Sequence, residues 1–457
     1  MTRETVINDS VQEAIDLIQQ AKQAQLVLKT FSQEKIDAIV KSMADAALRE
    51  SIRLATMAAE ETGFGNAADK VVKNEFASKQ LLEHIKDQKT VGILSTDPVT
   101  RTMDVAVPMG VLAALVPSTN PTSTTIYKAI VAIKSGNGIV VSPHPTALKS
   151  ITETAKVVYE AALAAGAPAG IIGCISKPSL EATQELMKNH DTALILATGG
   201  EAMVRAAYSS GNPAIGVGPG NSPAYIEKSA NVTKAVEKIF LSKTFDNGVI
   251  CASEQSIVVE KSMEERVRTE VVKNGGYFLT AEESEKLGKF ILRENGTMNP
   301  QIVGKTAQYV ADLAGLTIPE NTRILLSEQN TVSKTNPYSR EKLTAILAFY
   351  VEEDNQAAIN RCAELLENEG AGHTASIHSN NQSVIQAFSL RMPVSRCLVN
   401  TPSALGGIGA TTDLTPALTL GCGAVGGSSV SDNVGPEHLF NVKKVVYHFN
   451  EELEEVA

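Results

Sequence analysis

Apolar and polar positions along this chain follow two rhythms. Ile36, Ile39, Val40, Met43 and Ala47 recur at three- and four-residue intervals, which predicts a helix with one buried stripe. Helices are expected across most of the first hundred residues. Between Val91 and Val107 the rhythm changes to short apolar runs, 91–94 and 103–107, around the polar turn at Asp97-Pro98. These read as a two-stranded hairpin. From Gly110 onward apolar runs alternate with helical stretches. Strands are expected at 111–116, 138–141, 171–174 and 193–196, and helices at 123–134, 147–165, 180–188 and 201–208. Continuous apolar strands separated by helices predict βαβ units and a parallel sheet buried on both faces. A second α/β region starts near Tyr225, with a strand at 256–259, a helix near 263–273 and the segment 343–351. The tail from 441 to 449 reads as a last strand.

Parallel sheets bind ligands beyond the carboxyl ends of their strands. Three turns fall there: Pro117 to Pro121, Ser142 to Pro145 and Thr198 to Gly200. Composition narrows the field. The chain has 457 residues, enough for two or three domains, and a net charge of −10 without a basic block. Nucleic acid and anionic membranes are therefore not expected partners. The apolar stretch 105–116 carries Pro108 and Gly110 and is too short to span a bilayer. The polar, acidic beginning does not read as a secretory signal. Five widely spaced cysteines, with no CxxC, favour a reducing cytosol over a disulfide framework or a zinc site. The seven histidines show no metal-ligand spacing, so no metal is expected.

Cys251 is the candidate nucleophile. It follows the run Thr244-Phe245-Asp246-Asn247-Gly248-Val249-Ile250 and precedes a β-branched strand. A thiol at the junction of a loop and a buried strand can be held rigid with one side open to substrate. Spacing alone equally fits a buried structural cysteine.

Six segments taken together resemble the coenzyme-A-acylating branch of the aldehyde dehydrogenases. They are the segment from Thr244 to Gln255, Pro117-Ser118-Thr119-Asn120-Pro121-Thr122-Ser123, Ser142-Pro143-His144-Pro145, Ala197-Thr198-Gly199-Gly200, Gly216-Val217-Gly218-Pro219-Gly220-Asn221 and Val434-Gly435-Pro436-Glu437-His438-Leu439. They occur in the family's order over nearly the whole chain. The resemblance implies an α/β, aldehyde dehydrogenase-like fold: two Rossmann-type parallel-sheet domains plus an oligomerisation hairpin. On that basis 1–224 is a dinucleotide-binding domain carrying the hairpin 91–107. Residues 225–410 are the catalytic cysteine domain, and 411–457 a return segment with an oligomerisation strand at 441–449.

The resemblance also implies chemistry. Cys251 attacks an aldehyde, and the Asn120 side chain and the Cys251 backbone N–H stabilise the oxyanion. Hydride leaves to NAD, with NADP not excluded. Contacts to that cofactor are expected from Thr198, Gly199, Gly200, Ser142, Pro143, Gly218 and Glu341. Relatives carry a lysine where Ser142-Pro143-His144-Pro145 stands, and this chain has none. Hydrolytic relatives activate water with a glutamate, but the matching stretch 216–223 contains no carboxylate, so coenzyme A is the expected acyl acceptor. A carboxylate from elsewhere in the chain, such as Glu254, is the alternative that could replace that base in space. His373 is a candidate base for the coenzyme A thiol, and equally a core histidine. Acetaldehyde is the favoured substrate, as no charged pocket is expected around Cys251. The other expected partners are copies of the same chain, as a homodimer or higher oligomer; cytoplasmic residence or a bacterial microcompartment fits the resemblance. A hydrolytic dehydrogenase and a non-catalytic scaffold retaining the fold are the alternatives.

Overall fold

The computed structural model describes residues 3–448. Helices fill the first part of the chain, and the stripe of Ile36, Ile39, Val40, Met43 and Ala47 lies buried on helix Gln33–Arg49. The hairpin follows as β1 (Gly92–Asp97) and β2 (Thr102–Pro108). Next come β3 (Val111–Val116), β4 (Gly138–Pro143), β5 (Ile172–Cys174), β6 (Thr192–Thr198) and β7 (Ala214–Val217). They form a parallel five-stranded sheet in the order β5-β4-β3-β6-β7. Helix Pro121–Lys134 crosses from β3 to β4, and every one of its residues is buried.

The second sheet contains β8 (Ser222–Ile226), β9 (Glu254–Glu260), β10 (Gly276–Phe278), β11 (Ile324–Glu328), β12 (Ile346–Glu352), β13 (Gly372–His378) and β14 (Val394–Val399). It is parallel too, in the order β10-β11-β12-β9-β8-β13-β14. The chain passes from one sheet to the other within 218–221. The expected boundary at 224/225 therefore falls inside β8: the apolar pair Tyr225-Ile226 marks the strand's end rather than its start. Finally β15 (Phe440–Val446) pairs antiparallel with β2, completing a three-stranded sheet β1-β2-β15. Phe449, the last residue of the expected tail strand, lies outside the described residues.

Strand register explains why the candidate turns gather. Val116 aligns with Pro143, and Thr198 with Val217. The ends of β3, β4, β6 and β7 thus form one edge, from which 117–121, 142–145, 198–200 and 218–221 emerge. Residues just ahead of β9 and the first residues of β13 belong to the amino edge of the second sheet, which meets the first at the 218–221 crossing.

Asn137 ties the small sheet to this body. Its buried side chain accepts from the Gly110 N–H at 2.9 Å and donates to the Leu439 carbonyl at 2.7 Å. Asn137→Ala leaves the half-buried Gly110 N–H and the buried Leu439 carbonyl unpartnered, and is expected to destabilise the fold by about 1–3 kcal/mol. Thermal unfolding of the purified variant reads this as a lowered Tm.

Candidate active site

Cys251 lies three residues ahead of β9, in a turn that follows a short 3₁₀ segment, Phe245–Gly248. Two non-glycine residues there adopt left-handed backbone angles, Asp246 (φ 49) and Asn247 (φ 52). Each such residue costs up to about 1–2 kcal/mol, so surrounding contacts must hold it. The Asp246 carboxylate is fully buried and supplies most of them. It accepts from the Asn66 N–H at 2.8 Å and from the Lys70 ammonium at 2.9 Å, and it pairs with the Lys73 ammonium. The Asp246 N–H donates to Asp69 at 2.7 Å. Gly65 packs so tightly here that a Cβ on it would lie 1.7 Å from the Asp246 carboxylate.

Lys70 and Lys73 project from helix Ala67–Glu75 and are both buried. Burial lowers the Lys73 pKa to about 8, against the opposing pull of Asp246. Lys73 also donates to Asn120 Oδ1 at 2.6 Å. Asn120 precedes Pro121, the first residue of its helix, but its side chain does not cap that helix. Its Nδ2 turns instead to the Val249 carbonyl, 3.2 Å away and two residues before Cys251. A simple turn residue would have spent its side chain on the cap. The structure therefore brings Asn120 and the Cys251 loop together.

The crossing segment lies against the other side of this loop. A Cβ at Gly220 would sit 1.9 Å from the Cys251 carbonyl oxygen, so bare backbone fills this position. The Gly220 N–H donates to Glu341 at 2.8 Å. Glu341 is half-buried, and its pKa rises to about 8, first through burial and then through the nearby Glu369. Both burial and the Glu341 charge push the Cys251 thiol up, to about 12, while Arg396 acts in the opposite sense. Glu254 faces elsewhere. Its buried carboxylate accepts from the Ser403 N–H at 2.9 Å, with its pKa raised to about 7 by burial.

His373 is fully buried at the start of β13, with Nδ1 2.9 Å from the Thr374 hydroxyl and Nε2 unpartnered. Burial and then the Arg396 charge lower its pKa to about 3, so it stays neutral. Arg396, absent from the sequence reading, reaches the carbonyls of Gly421 (2.6 Å) and Ser431 (3.1 Å) and so anchors the return segment. Gly199 and Gly200 lead into helix Glu201–Tyr208, whose N-terminus has no side-chain cap. A Cβ at Gly200 or Gly218 would meet nothing within 4 Å, so both glycines face open space. Thr198 contacts the Thr419 hydroxyl at 3.4 Å. Ser142 is buried and bonded to the Thr183 hydroxyl at 2.9 Å, and Pro143 closes β4 beside it. Among the described residues, no group of three or more His, Cys, Asp or Glu could hold a metal ion, and no helix is long and apolar enough to cross a membrane.

A family model for the aldehyde dehydrogenase family matches residues 4–412. The chain belongs to the aldehyde dehydrogenase family. It is 45% identical over 441 residues to the bifunctional aldehyde-alcohol dehydrogenase AdhE of Escherichia coli K12, an alignment covering 95% of this chain and 49% of that protein. The chain thus spans about half the length of the curated relatives it first matches. Among solved structures, an acetylating aldehyde dehydrogenase from Geobacillus thermoglucosidasius superposes with a TM-score of 0.96 at 49% identity, covering 98% of this chain and 99% of that one. A propionaldehyde dehydrogenase from Rhodopseudomonas palustris, with bound CoA and an acylated cysteine, superposes with a TM-score of 0.85 at 26% identity, covering 95% and 97%.

Two outcomes follow from this geometry. Gly220→Ala should displace the Cys251 carbonyl and lower kcat by about 10²-fold or more, since small misplacements at a reacting centre have that effect. Circular dichroism should show an unchanged fold. A high thiol pKa also has a pH signature. Thiolate grows about tenfold per pH step of one below the pKa. Iodoacetamide should therefore alkylate Cys251 in the free protein at a rate that climbs steadily to pH 9.5 without a plateau, read by peptide mass spectrometry.

Proposed function

We propose that this chain oxidises a short aldehyde, acetaldehyde favoured, to its acyl-coenzyme A thioester in a reversible, NAD-dependent reaction. The observation that carries this reading is that the segment 216–223 carries no carboxylate and packs its bare Gly220 backbone against the Cys251 carbonyl. The acetylating relative and the neighbour with an acylated cysteine and bound CoA support it.

In this reading Cys251, once ionised, adds to the aldehyde carbon and gives a thiohemiacetal oxyanion. The Asn120 Nδ2 and the Cys251 N–H donate to that oxygen, in a site with little water to compete. A nicotinamide cofactor supplies the hydride acceptor when bound. Gly200 and Gly218 face open space suited to its phosphates at an uncapped helix N-terminus, with Thr198 and Gly199 beside them. Glu341 would take the nicotinamide ribose, and Ser142 and Pro143 would line the adenosine side. The acyl group left on Cys251 then passes to the thiol of coenzyme A. We assign the unpartnered Nε2 of His373 to that thiol as hydrogen-bond acceptor, a role a neutral imidazole can fill.

Hydrolysis to the free acid is the second reading, and one observation favours it. Glu341, held by the Gly220 N–H that packs on Cys251, has a pKa raised to about 8, which suits a general base. A scaffold without chemistry would not need the Asn120 and Cys251 pairing. We further propose a homodimer or higher oligomer, because β14 and β15 are edge strands and Val442 and Val446 on β15 are exposed. Five free cysteines fit a reducing cytoplasm, and a bacterial microcompartment would suit the same chemistry.

The test is NADH formation from acetaldehyde with and without coenzyme A. Without it, steady turnover should fall by about 10²-fold or more, because water lacks a base. Equal rates in both assays, lost in Glu341→Gln, would establish hydrolysis instead. Undiminished turnover in Cys251→Ala would remove the assigned nucleophile.

A further inference from the structure

The two ends of an asparagine amide are chemically opposite: Oδ1 only accepts hydrogen bonds, and Nδ2 only donates them. An oxyanion needs the donating end, and rotation by half a turn would present the accepting one. What decides the orientation here is a neighbour that can only donate. Lys73 Nζ lies 2.6 Å from Asn120 Oδ1. With Oδ1 committed to that ammonium, Nδ2 must face the Cys251 loop, where it meets the Val249 carbonyl. The same ammonium pairs with Asp246, which holds the left-handed turn ahead of Cys251. One nitrogen therefore registers the amide and the nucleophile loop against each other. Both Lys73 and Asp246 are buried, so this link forms out of water.

We propose that Lys73 is a positioning residue for the oxidation, fixing which end of the Asn120 amide meets the thiohemiacetal oxygen. The proposal rests on the assignment of Asn120 and Cys251 made above. Lys70 has a separate task. It donates to Asp246 and to the Thr119 carbonyl, at 2.9 and 3.2 Å, and supplies a second positive charge to the carboxylate. Loss of Lys73 therefore leaves Asp246 still paired.

The experiment is a double-mutant cycle on NADH formation from acetaldehyde and coenzyme A. Asn120→Ala and Lys73→Met should each lower kcat by about 10²-fold, the scale of one lost oxyanion donor, with each KM within about threefold of wild type. The double variant should fall no more than about threefold below Asn120→Ala, because Lys73 acts through that amide. Lys73→Arg, which keeps a donor-only cation, should recover a large part of the loss. If Asn120→Ala is slow while Lys73→Met turns over like wild type, the proposal is overturned and the role of Asn120 stands. If Asn120→Ala itself is unimpaired, the underlying assignment fails and takes the proposal with it. Losses that multiply in the double variant would show that Lys73 acts independently of the amide, and also overturn it. Should Lys73→Met prove insoluble, Lys73→Met/Asp246→Asn removes the carboxylate together with its counter-charge. That pair should show the same loss of kcat, and wild-type kcat in it would reject the proposal.

Discussion

A carboxylate removed from water has to be met by opposite charge and hydrogen-bond donors, or it will not stay ionised. Asp246 is such a carboxylate, and the ways it is met organise the site. Two ammonium groups come from helix Ala67–Glu75, and one backbone N–H comes from the turn before that helix. The N-terminal helical region is thereby bound to a loop 173 to 180 residues further on. That bond keeps the left-handed turn at Asp246 and Asn247, and the turn sets where Cys251 begins its approach to β9. Asn120 joins the same cluster through Lys73. Nucleophile loop, amide and scaffold are parts of one polar core, and removing Asp246 would leave two buried ammonium groups without their carboxylate.

The other wall of the site is defined by what is missing. Gly220 touches the Cys251 carbonyl without a side chain, at the point where the chain crosses from the first sheet to the second. This crossing delivers Gly218 to open space and lets the Gly220 N–H hold Glu341. A short connection between two parallel sheets thus determines which groups stand against the Cys251 loop.

Much of the first sheet was legible in the sequence, since β3, β4 and β6 are unbroken apolar runs bounded by proline or glycine. The second sheet was read less well. β13 runs Gly-His-Thr-Ala-Ser-Ile-His, yet all seven residues are buried. Polar side chains satisfied inside a protein leave no hydrophobic period to follow. The same reasoning explains what was missed in the site. Lys70 and Lys73, three apart on a short helix, look like a solvated face, and only the fold shows them turned inward against Asp246. Arg396 gave no signal beyond its charge. Asn120 and Cys251 stood out because glycine, proline and small residues surround them at strand ends, where backbone geometry restricts the choice of residue. The contact that makes Gly220 indispensable was invisible, since glycine in a turn usually reports φ rather than crowding.

The account reduces to a thioester that persists until a second thiol arrives. Intact-protein mass spectrometry tests this directly. The protein is mixed with acetaldehyde and NAD in the absence of coenzyme A, quenched in acid and weighed over time. The account predicts one acetyl group on Cys251 per chain, long-lived, and removed at once when coenzyme A is added. Free acetate formed over many turnovers, with no adduct at any time and no response to coenzyme A, would contradict it.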